Sequence, residues 1–392
     1  MTEQRGGQKA GLLVAGLVIA IVSFVAGTRA DELWAHIGPM FGVRTATGSL
    51  ELANVQKVYR ELKANYDGEL DSQALMHGAA RGMVAAAGDP YTAYLDPKEA
   101  EEFQRSLNGK IGGGIGAEIG KRHDVPTIIR PLNNSPAQKA GVMAGDVIAQ
   151  VNDVPVTREM TVDQVVQKIR GEAGTTVKLV LVRQGERKEF TMTREEVVAP
   201  AVEWRVDGQV GIMTVRQFNN DTGKLSRQAA EAFRAANVTR VVLDLRGNPG
   251  GTVEAARALT GLWLDKKEIM TQRRGETVVG RETSFGVPLL TDIKTVVLVN
   301  EGSASASEIV AGALKDYQKA TLVGEKTYGK GSVQRPLTLD GGAVLKVTEA
   351  RWYTPHGKNI DKEGITPDVV VVMTSDDYNN ERDPQLERAL QL

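Results

Sequence analysis

Three serines at alternate positions, Ser303, Ser305 and Ser307, precede a helix-forming run, and Lys330 and Gln334 follow in Thr327-Tyr328-Gly329-Lys330-Gly331-Ser332-Val333-Gln334. A serine hydroxyl and a lysine amine can carry out acyl transfer without histidine, provided burial or neighbouring charge keeps the amine neutral. The run Thr295-Val296-Val297-Leu298-Val299-Asn300 is β-branched and apolar, whereas Ile309, Val310, Ala313, Leu314 and Tyr317 recur at helical spacing. A buried strand therefore feeds a helix, with the serines at its entrance. Unpaired N–H groups and the positive end of the dipole favour both a capping hydroxyl and a developing oxyanion there. Capping is the commoner use of serine at such a place, and residue types alone do not choose among the three. Lys330 sits between Gly329 and Gly331, where a backbone without side chains permits close approach or an unusual turn. Gln334 lies four residues on, on the same face in either a strand or a helix, and its neutral amide can orient an amine without stabilising the charged form.

Two further segments stand out. Val241-Val242-Leu243-Asp244-Leu245 reads as a buried strand and Val253 to Leu264 as the helix after it, with Gly250-Gly251 at the turn between them. Near the N-terminus, Asp89-Pro90 interrupts a helical pattern in Gly88-Asp89-Pro90-Tyr91-Thr92, because proline disfavours helix at the residue before it.

Together with Asp244-Leu245-Arg246-Gly247-Asn248-Pro249-Gly250-Gly251 and Tyr353-Thr354-Pro355-His356-Gly357, these segments resemble, in the same order, the carboxyl-terminal processing (tail-specific) protease family, over nearly the whole chain. The resemblance implies a serine-type endopeptidase that needs no cofactor. It makes Ser305 the nucleophile, Lys330 the general base and Gln334 the residue that orients the lysine, with Ser303 and Ser307 supporting or capping. It also implies an oxyanion site built from backbone N–H groups, that of Ala306 and one from Gly250 or Gly251, between which the pattern does not choose. Cleavage near exposed C-termini, a crotonase-like α/β core, and N-terminal helices that often join two copies follow from the same resemblance.

Residues 106–198 form a distinct unit that opens with Gly112-Gly113-Gly114-Ile115-Gly116-Ala117-Glu118-Ile119-Gly120 and resembles a PDZ domain, with further matches at Ser135-Pro136-Ala137 and Gly141-Val142-Met143-Ala144-Gly145-Asp146. Successive N–H groups of Gly114, Ile115, Gly116 and Ala117 can hold a terminal carboxylate while the substrate chain adds as a strand beside Ala117-Glu118-Ile119. Ala117 stands where PDZ loops commonly carry a bulkier apolar residue. Arg170, at the end of the helix from Thr161, is a candidate for signalling occupancy to the core.

Composition frames these readings. The chain has 392 residues, 41% hydrophobic and 25% charged, with a net charge of −1, enough for two or three folded units and without the basic excess of a nucleic-acid binder. With no cysteine and only four histidines, neither disulfides nor a cysteine or histidine metal cluster is expected. Gly11 to Thr28 is uncharged, bracketed by Arg5 and Lys9 before it and Arg29 after it. At about 1.5 Å per residue it spans roughly the hydrocarbon thickness of a bilayer. It reads as an export signal retained as a single anchor, which puts the remainder outside the cytoplasm at the cell membrane, or secretes it if cleaved.

The expected organisation is an anchor at 1–30, a helical region at 31–105, a PDZ domain at 106–198, an α/β core at 199–375 and a tail with a short helix at 376–392. The core should alternate strands near 210–216, 240–245, 295–300 and 320–324 with helices near 224–236, 253–264 and 306–317. Expected partners are proteins with free C-terminal tails, an adaptor or activating peptide, the membrane and a second copy of the chain. Competing readings are a PDZ scaffold without activity, a phosphate-binding loop at Gly324–Gly331, a dinucleotide fingerprint at Gly112–Ala117, and a triad of His356 with Asp244 or Asp361. Gly331 stands where a phosphate loop needs Ser or Thr, and Lys121-Arg122-His123-Asp124 stands where a dinucleotide fold needs an apolar helix.

Overall fold

The computed structural model describes residues 52–123, 125–198 and 200–392. The anchor expected within residues 1–30 lies outside these, and no helix among the described residues is long and apolar enough to cross a membrane. The chain divides into a unit of residues 1–75 and one of residues 76–392. Helix α1 (Ala53–Asn65) belongs to the first, and α2 (Ser72–Ala85) runs across the boundary. Neither helix contains a buried residue, and Val55 and Val58 on α1 and Met83 on α2 are exposed.

In the larger unit, β1 (Ala93–Leu95) precedes α3 (Pro97–Leu107), whose start is fixed by a capping box between Asp96 and Glu99 with proline in the first turn. The region expected to be helical up to residue 105 thus also contributes a strand.

The unit that resembles a PDZ domain enters through β2 (Lys110–Gly114). It continues through β3 (Ala117–Arg122), β4 (Val125–Pro131), α4 (Pro136–Lys139), β5 (Val147–Val151), β6 (Val154–Pro155) and α5 (Val162–Ile169). It closes with β7 (Thr176–Arg183), β8 (Glu186–Thr193) and β9 (Glu195–Val198). Strands β2 and β9 pair antiparallel, so the chain enters and leaves side by side, as an inserted domain must. The other strands form a sheet of order β3-β4-β5-β7-β8, with β6 on β5. Ile128, Ile148, Val165, Leu179 and Leu181 fill a core separate from the one below.

The α/β core begins with β10 (Val202–Asp207), β11 (Val210–Val215), α6 (Thr222–Ala235), β12 (Arg240–Asp244) and α7 (Val253–Thr260). Next come β13 (Glu268–Arg274), β14 (Thr277–Thr283), β15 (Lys294–Val299), α8 (Ala306–Asp316) and β16 (Ala320–Gly324). It ends with β17 (Ser332–Thr338), β18 (Val344–Tyr353), β19 (Val369–Val370), α9 (Ser375–Asn379) and α10 (Pro384–Gln391). The central sheet has the order β10-β11-β12-β15-β16-β19, parallel from β11 onward. Its inner strands β11, β12, β15 and β16 are buried on both faces, which accounts for their continuous apolar runs. Met213, Leu243 and Val297 pack with Phe233, Leu259, Trp263, Val310 and Leu314 on one face. Ile212, Val242 and Leu298 meet Ala389 and Leu386 of α10 on the other, so the expected tail is part of the core. Each such fully buried side chain contributes about 1.5–3 kcal/mol. A second sheet, not foreseen, pairs β1-β18-β13-β14 antiparallel, with β17 on β18.

Candidate active site

Parallel β12 and β15 are neighbours, and the turns at their C-terminal ends meet. The three serines separate by burial and partners. Ser303 and Ser307 are fully buried; the Ser303 hydroxyl donates to the Leu245 carbonyl at 2.8 Å and that of Ser307 to the Asn248 carbonyl at 2.9 Å. Both bind the α8 entrance to the β12 turn. Ser305, between them, is only half-buried. Its backbone is at φ 54°, ψ −113°, a conformation that costs a non-glycine residue about 1–3 kcal/mol and persists only where its surroundings enforce it.

Glu308 supplies much of that enforcement. It is fully buried in the first turn of α8, and its Oε2 accepts from the N–H of Ser305 at 2.8 Å and of Lys330 at 3.0 Å. Its Oε1 accepts from the Thr327 hydroxyl at 2.6 Å and the Gly329 N–H at 2.7 Å. Burial pushes the Glu308 carboxyl above its usual range, against the pull of these four donors. One carboxylate thus joins the backbones of Ser305 and Lys330. The Tyr328 N–H adds a second tie, to the Ser303 carbonyl at 3.1 Å.

Lys330 lies in the loop between β16 and β17, its carbonyl accepting from the Trp352 indole at 2.8 Å. Burial, aided by the nearby Lys346 ammonium, lowers the pKa of the Lys330 amine from its ordinary value despite the opposing charges of Glu308 and Asp89. The amine lies over the Tyr91 ring, 5.4 Å from its centroid, and makes no hydrogen bond with Ser305 in this structure. Gln334, on β17, donates its amide to the hydroxyls of Ser332 at 2.9 Å and Thr348 at 3.1 Å, which leaves its carbonyl oxygen to accept.

The β12 turn comes up against Ser305. A Cβ on Gly250 would lie 2.8 Å from the Ser305 Cβ and 3.0 Å from the Ala306 nitrogen, and one on Gly251 only 1.9 Å from the Phe218 carbonyl oxygen. Their φ values of 97° and 146° also require glycine. The Gly250 N–H is taken by Asn248 Oδ1 at 2.9 Å. Among the described residues no acceptor is bonded to the N–H of Gly251 or of Ala306, so these two are the free donors beside the serine. Phe218 holds the turn, donating to the Gly250 carbonyl at 2.9 Å and accepting from the Thr252 N–H at 2.8 Å.

In the PDZ unit, the carbonyls of Ile115 and Gly116 accept from Ala137 and Leu132, both at 2.8 Å, while no described residue accepts from the N–H groups of these two. Gly114 pairs within the β2–β9 ribbon and Ala117 starts β3. Gly116 is at φ 66°, and a Cβ there would meet that of Ser135 at 2.4 Å. Arg170 ends α5, exposed, with no ion pair to a described residue. The contacts to the core are made by other residues. Arg130 pairs with Glu118 at 3.0 Å and with Glu203 at 2.9 Å, and Arg216 reaches Glu203 at 3.4 Å and Glu118 at 3.7 Å.

The competing constellations do not assemble. The loop after Gly324 feeds strand β17 rather than a helix, and Gly112–Ala117 leads into β3. His356 is exposed beside Asp316, Asp244 pairs with Arg246, and Asp361 pairs with Arg351. No group of acidic or histidine residues suited to a metal occurs among the described residues. Glu308, Asn248 and Tyr91 were passed over in the sequence. For Glu308 a signal existed, Ser305 three residues before Glu308 being a capping-box spacing.

A half-buried serine at a strained helix entrance, beside free backbone donors and a half-buried lysine, describes a serine hydrolase core into which a PDZ domain is inserted. Residues 209–371 match the family model of peptidase family S41, residues 128–183 that of a PDZ domain, and residues 40–99 that of the activating protease CtpB N-terminal domain. The "Probable CtpA-like serine protease" of Staphylococcus aureus (strain MSSA476) is 35% identical over 357 residues, 91% of this chain and 70% of that one. Its namesake in Staphylococcus epidermidis (strain ATCC 12228 / FDA PCI 1200) is 36% identical over 322 residues, 82% of this chain and 65% of that one. The solved photosystem II D1 C-terminal processing protease is 29% identical, with a TM-score of 0.54 over 82% of this chain and 87% of that one. The solved "Putative S41 protease" of Bacteroides fragilis NCTC 9343, 18% identical with a TM-score of 0.57 over 86% of this chain and 92% of that one, shares the fold. The chain belongs to peptidase family S41, among the CtpA-like serine proteases, and is a serine-type endopeptidase.

Proposed function

We propose that this endopeptidase works by a Ser305–Lys330 pair and cleaves proteins near free C-terminal tails held by its PDZ domain. The observation that carries this reading is the meeting of Ser305 and Lys330 at the Glu308 carboxylate, with the lysine amine already lowered toward neutrality. The Lys330 amine takes the Ser305 proton as the hydroxyl attacks the peptide carbonyl, and the Gly251 and Ala306 N–H groups receive the oxyanion. The same amine then protonates the departing amine, and water resolves the acyl-enzyme on Ser305. Gln334 steadies the lysine through its free carbonyl oxygen. Hydrogen bonds of this kind often tighten only once substrate is bound, so the open Ser305–Lys330 gap is compatible with the role.

The Ile115 and Gly116 N–H groups suit a terminal carboxylate, with Gly114 and Ala117 flanking them and β3 as the edge for the substrate strand. Tail binding reaches the catalytic centre through the ion cluster rather than through Arg170. Glu118 and Arg130 lie on β3 and β4, Glu203 on β10, and Arg216 stands two residues before Phe218, which holds the Gly250-Gly251 turn. Each half-exposed pair is worth at most about 1 kcal/mol, yet a network needs only about 1–3 kcal/mol of coupling to regulate. The same reading places the chain outside the cytoplasm on its Gly11–Thr28 anchor, joins two copies through the exposed faces of α1 and α2, and admits an adaptor or activating peptide.

The test is hydrolysis of an unfolded protein by the full chain, with a free or an amidated apolar C-terminus and without nucleotide or metal. The free tail should be cleaved and the amidated one much less; Arg216→Ala should blunt tail stimulation without changing tail affinity. Tail binding with no hydrolysis under any condition would turn the reading into a scaffold.

A further inference from the structure

The proposed base is held at its backbone but not at its tip. The Lys330 N–H and carbonyl are both bonded, and the glycines on either side lie against Gly364 and Asp361 too closely for a Cβ, at 2.8 and 2.5 Å from their nitrogens. Among the described residues the amine has no hydrogen-bond partner, and the Tyr91 ring lies over it, 5.4 Å to the centroid. That ring comes from far away in sequence and is set by an independent brace. Asp89 accepts from the Tyr91 N–H at 3.2 Å and from the Thr92 hydroxyl at 2.5 Å. The Thr92 oxygen accepts in turn from the Thr348 N–H at 3.1 Å, and the Thr348 hydroxyl accepts from Gln334. Directly after the brace, β1 pairs with β18, Ala93 opposite Lys346. The ring is therefore pinned to the strands that carry Gln334 and Lys346.

We propose that Tyr91 is a positioning residue for the base, its ring forming the wall that keeps water from the Lys330 amine and confines the amine to one orientation. This rests on the Ser–Lys reading. The charged groups around the amine are Lys346 from β18, Glu308 from α8 and Asp89 from the brace; Tyr91 itself is faced by the Tyr328 phenol, two residues before Lys330 in the same loop, and by Asp361 and Glu308. Tyr91 does not compete as a base: burial, together with Tyr328, pushes its phenol up to about 12, so it stays neutral while lysine titrates. The ring, not the hydroxyl, carries the function. Two effects oppose each other, since a ring face favours an ammonium while exclusion of water disfavours it. Burial is the largest cause of the lowered lysine value, and we take exclusion of water to be the larger of the ring's two effects.

The experiment is the pH profile of kcat/KM on one unfolded substrate for the full chain and for Tyr91→Phe, Tyr91→Leu and Tyr91→Ala, beside Lys330→Ala and Lys346→Gln. Activity rises as the base loses its proton. Tyr91→Phe should keep the parent midpoint. Tyr91→Ala should admit water and move it up by about one pH unit, with Tyr91→Leu between. Lys346→Gln removes a like charge and should move it up as well, which marks the profile as that of Lys330. If Tyr91→Leu and Tyr91→Ala, folded by thermal melting, keep the parent midpoint while Lys330→Ala is dead, the wall is overturned and the Ser–Lys reading stands. If Lys330→Ala remains active, the Ser–Lys reading falls and takes the wall with it.

Discussion

The two strand-to-helix turns beside each other in the central sheet solve opposite problems. After β12, Gly250 and Gly251 take positive φ values and Thr252 then caps α7 conventionally, extended at φ −78°, ψ 141°, its side chain accepting from the Ala255 N–H. After β15, Gly302 lies in the turn before α8 without a positive φ, and Ser305 itself holds the strained conformation at the cap position. The first turn is open backbone that lets N–H groups approach, whereas the second bends a side chain out where it can react. Because the first is relaxed and the second strained, the second must be held from outside. Ser303, Ser307 and Glu308 provide that hold, and two of the three bind to the first turn.

Substitutions can break this pairing in graded ways. The largest effect is expected from Gly250→Ala, whose Cβ would press on Ala304, Ser305 and Ala306. It should lower kcat by about 10²–10³-fold, the scale of a lost oxyanion donor, while tail affinity of the PDZ domain stays unchanged in a peptide titration. Next comes Glu308→Gln, which puts an amide donor among four donors. It should destabilise by about 1–3 kcal/mol, read from denaturant midpoints, and should also reduce kcat, because both Ser305 and Lys330 lose their shared acceptor. The smallest is Thr252→Ala at the conventional cap, expected to cost about 1 kcal/mol with kcat nearly unchanged. Equal loss of kcat in Thr252→Ala and Glu308→Gln would erase the distinction between the two turns.

How much of this was legible in the sequence follows from the same contrast. The parallel strands were readable because burial on both faces leaves unbroken runs such as Val241–Leu243 and Val296–Val299. The antiparallel sheet was not, since β14 carries Arg281 and Glu282 and β18 carries Lys346 and Glu349 among apolar residues, and strands with mixed faces give weak signals. Three serines of one type offered no choice by their chemistry; the family resemblance pointed to Ser305, and in the structure the burial and bonds of Ser303 and Ser307 set it apart. Tyr91 was invisible as a neighbour of Lys330, because a brace and a strand pairing bring them together rather than any local pattern. Arg170 had the right place in the PDZ unit, but the ion pairs to the core fall to Glu118, Arg130 and Arg122, the last with Glu381.

The most direct measurement is labelling of the full chain with a serine-directed fluorophosphonate, with the modified residue located by mass spectrometry and the rate followed against pH. The account predicts a single adduct on Ser305 and a rate that rises with pH through the lowered lysine value; in Lys330→Ala the label is all but lost. An adduct on Ser303 or Ser307, or an unchanged rate in Lys330→Ala, would contradict it.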